Sequence, residues 1–125
     1  MSNADQPTKH ILIVEDSTVV RGMITHIIEA EGYTVASAKS AEEALEYLRS
    51  APKPQLILLD LVLPYMRSDE FLRELQNHRD WAIIPVAIIS GYAQETPYRI
   101  PFTVAYLEKP IDFDQLMDVV RTYCY

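Results

Sequence analysis

Five side chains have the types and positions for chemistry at phosphorus: Glu15, Asp16, Asp60, Ser90 and Lys109. Each stands just after an apolar, β-branched or leucine-rich run. Ile11-Leu12-Ile13-Val14 ends in Glu15-Asp16, and Leu56-Ile57-Leu58-Leu59 ends in Asp60. The run 83–89 ends in Ser90, and 103–107 ends in Glu108-Lys109-Pro110. If these runs are neighbouring strands, three carboxylates, a hydroxyl and an ammonium share one edge. Clustered carboxylates repel unless a cation lies between them. Oxygen ligands at an open edge suit Mg²⁺, which keeps waters and leaves room for a phosphate oxygen. A carboxylate beside that ion can attack phosphorus and form an acyl phosphate. Mg²⁺, the Lys109 ammonium and the Ser90 hydroxyl would then compensate the phosphoryl oxygens.

Taken singly, each residue has an ordinary structural reading. Asp16 or Ser17 suits the N-cap of the following helix, and Ser90 suits a cap. Asp60 is a common turn former, and a lone lysine is usually a solvated charge. The coincidence of all five at the carboxyl ends of four strands favours a site.

The elements that must position them alternate strand and helix. Helical spacing of Val20, Ile24, Ile27 and Ile28 predicts a helix over 17–31, with Gly32 beyond its end. A strand follows at 33–38. Ser40 and Glu43 make an S-x-x-E capping box for a second helix that stops before Pro52. After the strand 55–60 comes a helix at 68–78 with Phe71, Leu72 and Leu75 inward. Strands at 83–89 and 103–107 and a helix at 112–123, capped by Asp112 with Gln115, complete the chain. Pro85 is unusual inside a central strand. Strands apolar throughout and separated by helices predict a parallel sheet covered on both faces. Ligands of such sheets bind outside the strands' carboxyl ends.

Composition narrows the function. The chain has 125 residues, which suits one domain, and 49% of them are hydrophobic, enough for one core. Eighteen acidic against 11 basic residues give a net charge of −7, which argues against nucleic acid as a direct partner. No apolar run is long enough for a membrane span. With one cysteine, Cys124, no internal disulfide can form, and a cytoplasmic location is expected. Residues 1–8 read as a flexible lead-in and 9–125 as the domain. No output segment is written after the last helix, so a stand-alone module and a piece of a longer protein both stay open.

The pattern resembles the receiver domain of two-component response regulators over about Lys9 to Tyr123. The motifs that carry it are Ile11-Leu12-Ile13-Val14-Glu15-Asp16, Asp60-Leu61-Val62-Leu63-Pro64-Tyr65-Met66, Ile88-Ile89-Ser90-Gly91-Tyr92-Ala93 and Tyr106-Leu107-Glu108-Lys109-Pro110. The resemblance implies a doubly wound, flavodoxin-like (βα)5 fold of the CheY-like superfamily, strand order 2-1-3-4-5. It implies that Asp60 accepts a phosphoryl group from a histidine kinase or a histidine phosphotransfer protein. Glu15, Asp16, Asp60 and the Val62 carbonyl would hold Mg²⁺. Lys109 would contact the phosphoryl group, Ser90 and Tyr106 would be the switch pair, and Lys109–Pro110 would be cis. The domain would signal to a downstream protein or an attached output domain, as a monomer or a homodimer. Its chemistry would be self-directed transfer and slow hydrolysis rather than ordinary enzyme catalysis.

Several residues depart from the family pattern. Arg67-Ser68 replaces an Asp-Gly pair, where glycine permits backbone angles that serine resists, and Ser68 is a candidate cap for the third helix instead. Between Ser90 and Lys109, Pro97 and Pro101 break what is usually a full helix, which predicts a shortened or irregular fourth helix at 91–102. Tyr92, Tyr98, Phe102, Tyr106 and Tyr123 would make that face aromatic, as partner-contact surfaces often are. Bulky Val62 and Tyr92 suggest slow hydrolysis. A pseudo-receiver that is never phosphorylated is the main alternative. An aspartate-nucleophile phosphatase lacks its second carboxylate at position 62. With three glycines, neither a dinucleotide fingerprint nor a Walker loop can be written.

Overall fold

The computed structural model describes residues 10–50, 52–61, 68–91 and 102–124. The elements run β1 (His10–Val14), α1 (Thr18–Ala30), β2 (Thr34–Ala38), α2 (Ala41–Ser50), β3 (Leu56–Asp60), α3 (Ser68–Gln76), β4 (Val86–Ser90), β5 (Ala105–Glu108) and α4 (Phe113–Tyr123). The five strands form one parallel sheet in the order β2-β1-β3-β4-β5, as the resemblance implied.

Alternation along the central strands feeds two cores, because successive side chains leave opposite faces of a strand. Leu12, Val14, Ile57, Leu59 and Ile88 face α2 and α3, where Leu45, Leu48, Phe71 and Leu75 meet them. Ile11, Ile13, Leu56, Leu58, Ala87 and Ile89 face α1 and α4, against Ile24, Ile28, Leu116 and Val120. Burying one such aliphatic side chain contributes about 1.5–3 kcal/mol, so the three central strands anchor the fold. The outer strands β2 and β5 are only partly covered.

Local signals in the sequence set the helix ends. The Ser17 side chain accepts from the Val20 N–H, capping α1. At its other end Gly32 takes φ 93°, and the Gly32 and Tyr33 N–H groups return to the Glu29 and Ile28 carbonyls. This is a Schellman closure that needs the left-handed conformation glycine tolerates. Ser40 accepts from the Glu43 N–H, while the Glu43 carboxylate reaches the Lys39 N–H, one residue beyond the usual box partner. Asp112 accepts from the N–H groups of Asp114 and Gln115 at the start of α4.

Two expected strand boundaries differ. The fourth strand begins at Val86, not 83, because turns occupy 77–84 and Pro85 sits before the ladder. From there its carbonyl still accepts the Ile57 N–H at 3.0 Å. The fifth strand is Ala105–Glu108, not 103–107. Phe102 enters it at φ 69°, a left-handed backbone rarely adopted without glycine. The expected lead-in 1–8 lies outside the described residues, as do positions 92–101 of the expected irregular stretch 91–102.

Candidate functional site

Register brings the chemistry-bearing residues level. Val14 pairs with Leu59, so Glu15 and Asp60 come next on adjacent strands. Asp60 pairs with Ile89, and Ser90 pairs with Glu108. The Lys109 N–H donates to the Ser90 carbonyl at 2.8 Å, extending the ladder by one step. Four strand ends thus deliver Glu15, Asp16, Asp60, Ser90 and Lys109 to one edge.

The charges there are close and unequal in number. Lys109 Nζ lies 2.9 Å from Glu15 Oε1 and 3.6 Å from Asp60 Oδ1. Glu15, Asp60 and Ser90 are buried, whereas Asp16 is exposed. Burial alone would lower the Lys109 pKa. The Glu15 contact, with the charges of Asp60, Glu15 and Asp16, outweighs it and holds the ammonium above its ordinary value. One ammonium therefore faces three carboxylates.

A cation fits the remaining imbalance. Glu15, Asp16 and Asp60 each offer a carboxylate oxygen, all within 4.8 Å of one another. Buried Glu15 Oε1 receives no aligned hydrogen bond beyond its ion pair, so it retains acceptor capacity. A set of hard oxygen donors with one exposed member suits a hard divalent ion.

The sequence profile described as response regulator receiver domain matches residues 11–121. This chain belongs to that family. The receiver domain is 31% identical over 119 residues to the polar-differentiation response regulator DivK of Brucella ovis, covering 93% of this chain and 96% of DivK. It is 32% identical over 125 residues to the alkaline phosphatase synthesis transcriptional regulatory protein SphR of Synechococcus elongatus, covering 91% of this chain. It spans about half of that relative's length (48%). The chemotaxis response regulator CheY4 of Vibrio cholerae superposes with a TM-score of 0.84, 22% identity, and coverage of 94% of this chain and 99% of that one, a likeness of fold. A CheY-like receiver domain protein from Methanospirillum hungatei gives a TM-score of 0.81 at 28% identity, covering 93% of both chains.

Within this receiver domain the implied residues are not all brought together. Glu15, Asp16, Asp60 and Lys109 converge, and Ser90 lies one residue past the partner of Asp60. Tyr106 is 39% exposed. The Val62 carbonyl and Tyr92 lie outside the described residues. Lys109–Pro110 is cis, as implied. Of the aromatic face, Phe102 is exposed, Tyr123 packs against the α1–α4 core, and Tyr98 lies outside the described residues.

Two functional neighbours were misjudged or missed. Ser68, a candidate cap for α3, instead donates its buried hydroxyl to the Asp60 and Leu61 carbonyls, 2.7 Å from each. It ties the start of α3 to the end of β3. Arg21 has no such local signal of its role: its guanidinium donates to the Glu15 carbonyl at 2.8 Å and the Asp16 carbonyl at 3.4 Å.

Proposed function

We propose that Asp60 accepts a phosphoryl group from a phosphohistidine, in a histidine kinase or a histidine phosphotransfer protein, and so switches the protein contacts of this domain. The observation that carries this reading is the Asp60 carboxylate, clustered with two others within 4.8 Å and facing the Lys109 ammonium at 3.6 Å. Glu15, Asp16, Asp60 and the Val62 carbonyl would hold Mg²⁺, which would supply charge neutralisation between carboxylates and phosphoryl oxygens. An Asp60 carboxylate oxygen attacks phosphorus, and the phosphorus–nitrogen bond to the donor breaks with its electron pair on nitrogen. Lys109, kept protonated by its carboxylate neighbours, offsets the charge gained by the acyl phosphate. The Ser90 hydroxyl hydrogen-bonds a phosphoryl oxygen, and Tyr106 turns inward behind it as the readout.

In this reading the donor approaches the edge beside α1. There Val19 is 79% exposed and Met23, one turn on, is also exposed. Gly22 between them leaves the surface open, with nothing beyond its own helix backbone and chain neighbours to meet a side chain there. An apolar stripe flanking an acidic site suits a partner helix. Exposed Phe102, Val104, Tyr106 and Phe113 suit the downstream target, an attached output domain or a second copy. Among the described residues no helix is long and apolar enough to cross a membrane; a cytoplasmic setting with no membrane and no direct nucleic-acid contact belongs to this proposal.

The test is acetyl phosphate with Mg²⁺, followed by phosphate-affinity electrophoresis, with Asp60→Asn as control. A shifted band in the wild type and none in the variant is expected. No shifted band in the wild type would favour a pseudo-receiver that works as an interaction module.

A further inference from the structure

We infer that Arg21 is a positioning residue for the cation site, acting through the main chain of the acidic loop rather than by touching the ion. This inference rests on the proposed role of Glu15, Asp16 and Asp60 as cation ligands. The loop after β1 must place a buried and an exposed carboxylate within reach of one ion. It spans only Glu15, Asp16 and Ser17 before α1 begins. Its polar groups are held from three sides. The Glu15 N–H donates to the Ala38 carbonyl at 3.0 Å, which fixes the loop to β2. The Ser17 N–H donates to Glu15 Oε2 at 3.0 Å, which fixes the buried carboxylate to α1. The two carbonyls between these anchors go to one nitrogen of Arg21, at 2.8 and 3.4 Å.

Those carbonyls flank the Asp16 backbone. Asp16 is the exposed ligand, without the packing that immobilises Glu15 and Asp60. Charge-assisted donation to both carbonyls is the restraint on its position. The guanidinium also has an opposing effect, because its charge repels a bound cation. Loss of that charge alone would tighten Mg²⁺ binding, whereas loss of the restraint would weaken it. The sign of the change decides between the two.

The experiment is a Mg²⁺ titration of the whole chain, followed by amide shifts of Ser17, Asp60 and Lys109 in the wild type, Arg21→Ala and Arg21→Lys. Supporting partners of metal ligands typically change affinity 10–100-fold, so a rise in Kd of about tenfold is expected for Arg21→Ala. Arg21→Lys keeps the charge but presents a compact ammonium in place of the planar fork, so its Kd rises as well. Hydrogen exchange at the Ser17 amide quickens in both variants without Mg²⁺. Should Arg21→Ala fail to fold, as Trp81 emission would report, Arg21→Lys carries the test. Variant Kd values equal to or below that of the wild type overturn the positioning role and leave the cation site standing. A wild type whose amides show no saturable Mg²⁺ response overturns both.

Discussion

Lys109 Nζ sits closer to Glu15 Oε1, at 2.9 Å, than to Asp60 Oδ1, at 3.6 Å. The lysine is thus engaged first by the neighbouring carboxylate, and Asp60 shares what charge remains. Removing it strands two buried carboxylates side by side. Breaking a buried ion pair costs about 3–5 kcal/mol. Lys109 is partly solvated, so roughly 1–3 kcal/mol is expected for Lys109→Met. A cation among the carboxylates would restore part of that. Thermal unfolding of Lys109→Met should show a lower midpoint than the wild type without Mg²⁺, and a larger upward shift when Mg²⁺ is added. Equal Mg²⁺-induced shifts in the two proteins would contradict this account of the charge balance.

Ser68 makes a comparable demand on the other side of Asp60. Its hydroxyl is shared by two carbonyls at the end of β3. Ser68→Ala leaves both without that donor, and an unmet buried acceptor costs about 1–3 kcal/mol. Denaturant unfolding should therefore show Ser68→Ala destabilised by that amount. Ser68→Thr keeps the hydroxyl and should lose less. A Ser68→Ala midpoint equal to that of the wild type would show that water replaces the hydroxyl.

The sequence made the sheet's carboxyl edge legible because register leaves little freedom there. Once Ile11–Val14 and Leu56–Leu59 are parallel neighbours, Glu15 and Asp60 must emerge together. Helix caps such as Gly32 and Asp112 were legible for a similar reason, and Ser17 was one of two candidates with Asp16: each depends on atoms within a few residues. What stayed hidden depends on tertiary contact. Ser68 reads as a cap from local spacing, yet Asp60, eight residues back, supplies its partner. Arg21 reads as a solvated helix charge until the loop folds back over it. Pro85 lay within a run that reads as strand to either side of it; the trimming of that run to Val86 shows only once the ladder with β3 is in place.

His10 and Tyr47 form a pH-sensitive contact at the opposite end of β1. The Tyr47 hydroxyl lies 2.6 Å from His10 Nε2, and the rings meet edge to face at 5.7 Å. Burial lowers the His10 pKa below its ordinary 6.5. The native state therefore binds fewer protons than the unfolded chain below that value. The stability this confers is present above pH 6.5 and is lost as pH falls through the native pKa. Urea midpoints measured from pH 7 downward should fall more steeply for the wild type than for His10→Phe, which has no imidazole to charge. Parallel curves would rule out His10 as the group responsible.

Cys124 should act at the alkaline end with the opposite sign. Its thiol is buried at the end of α4, in the core that also holds Ile11 and Val120. That burial raises its pKa from 9.0 to about 11. In the unfolded chain the thiol ionises first, so the native state holds more protons between those two values. The corresponding stability is complete below pH 9 and disappears as pH climbs to about 11. Two units correspond to about 2–3 kcal/mol at 1.36 kcal/mol per unit. Unfolding free energies of wild type and Cys124→Val should therefore diverge with rising pH over this interval, with the variant losing less. The same burial should slow alkylation of the native thiol by iodoacetamide at pH 8, since the thiolate is the reacting form. Alkylation as fast as that of the unfolded chain would place Cys124 in contact with solvent and remove the basis for the alkaline effect.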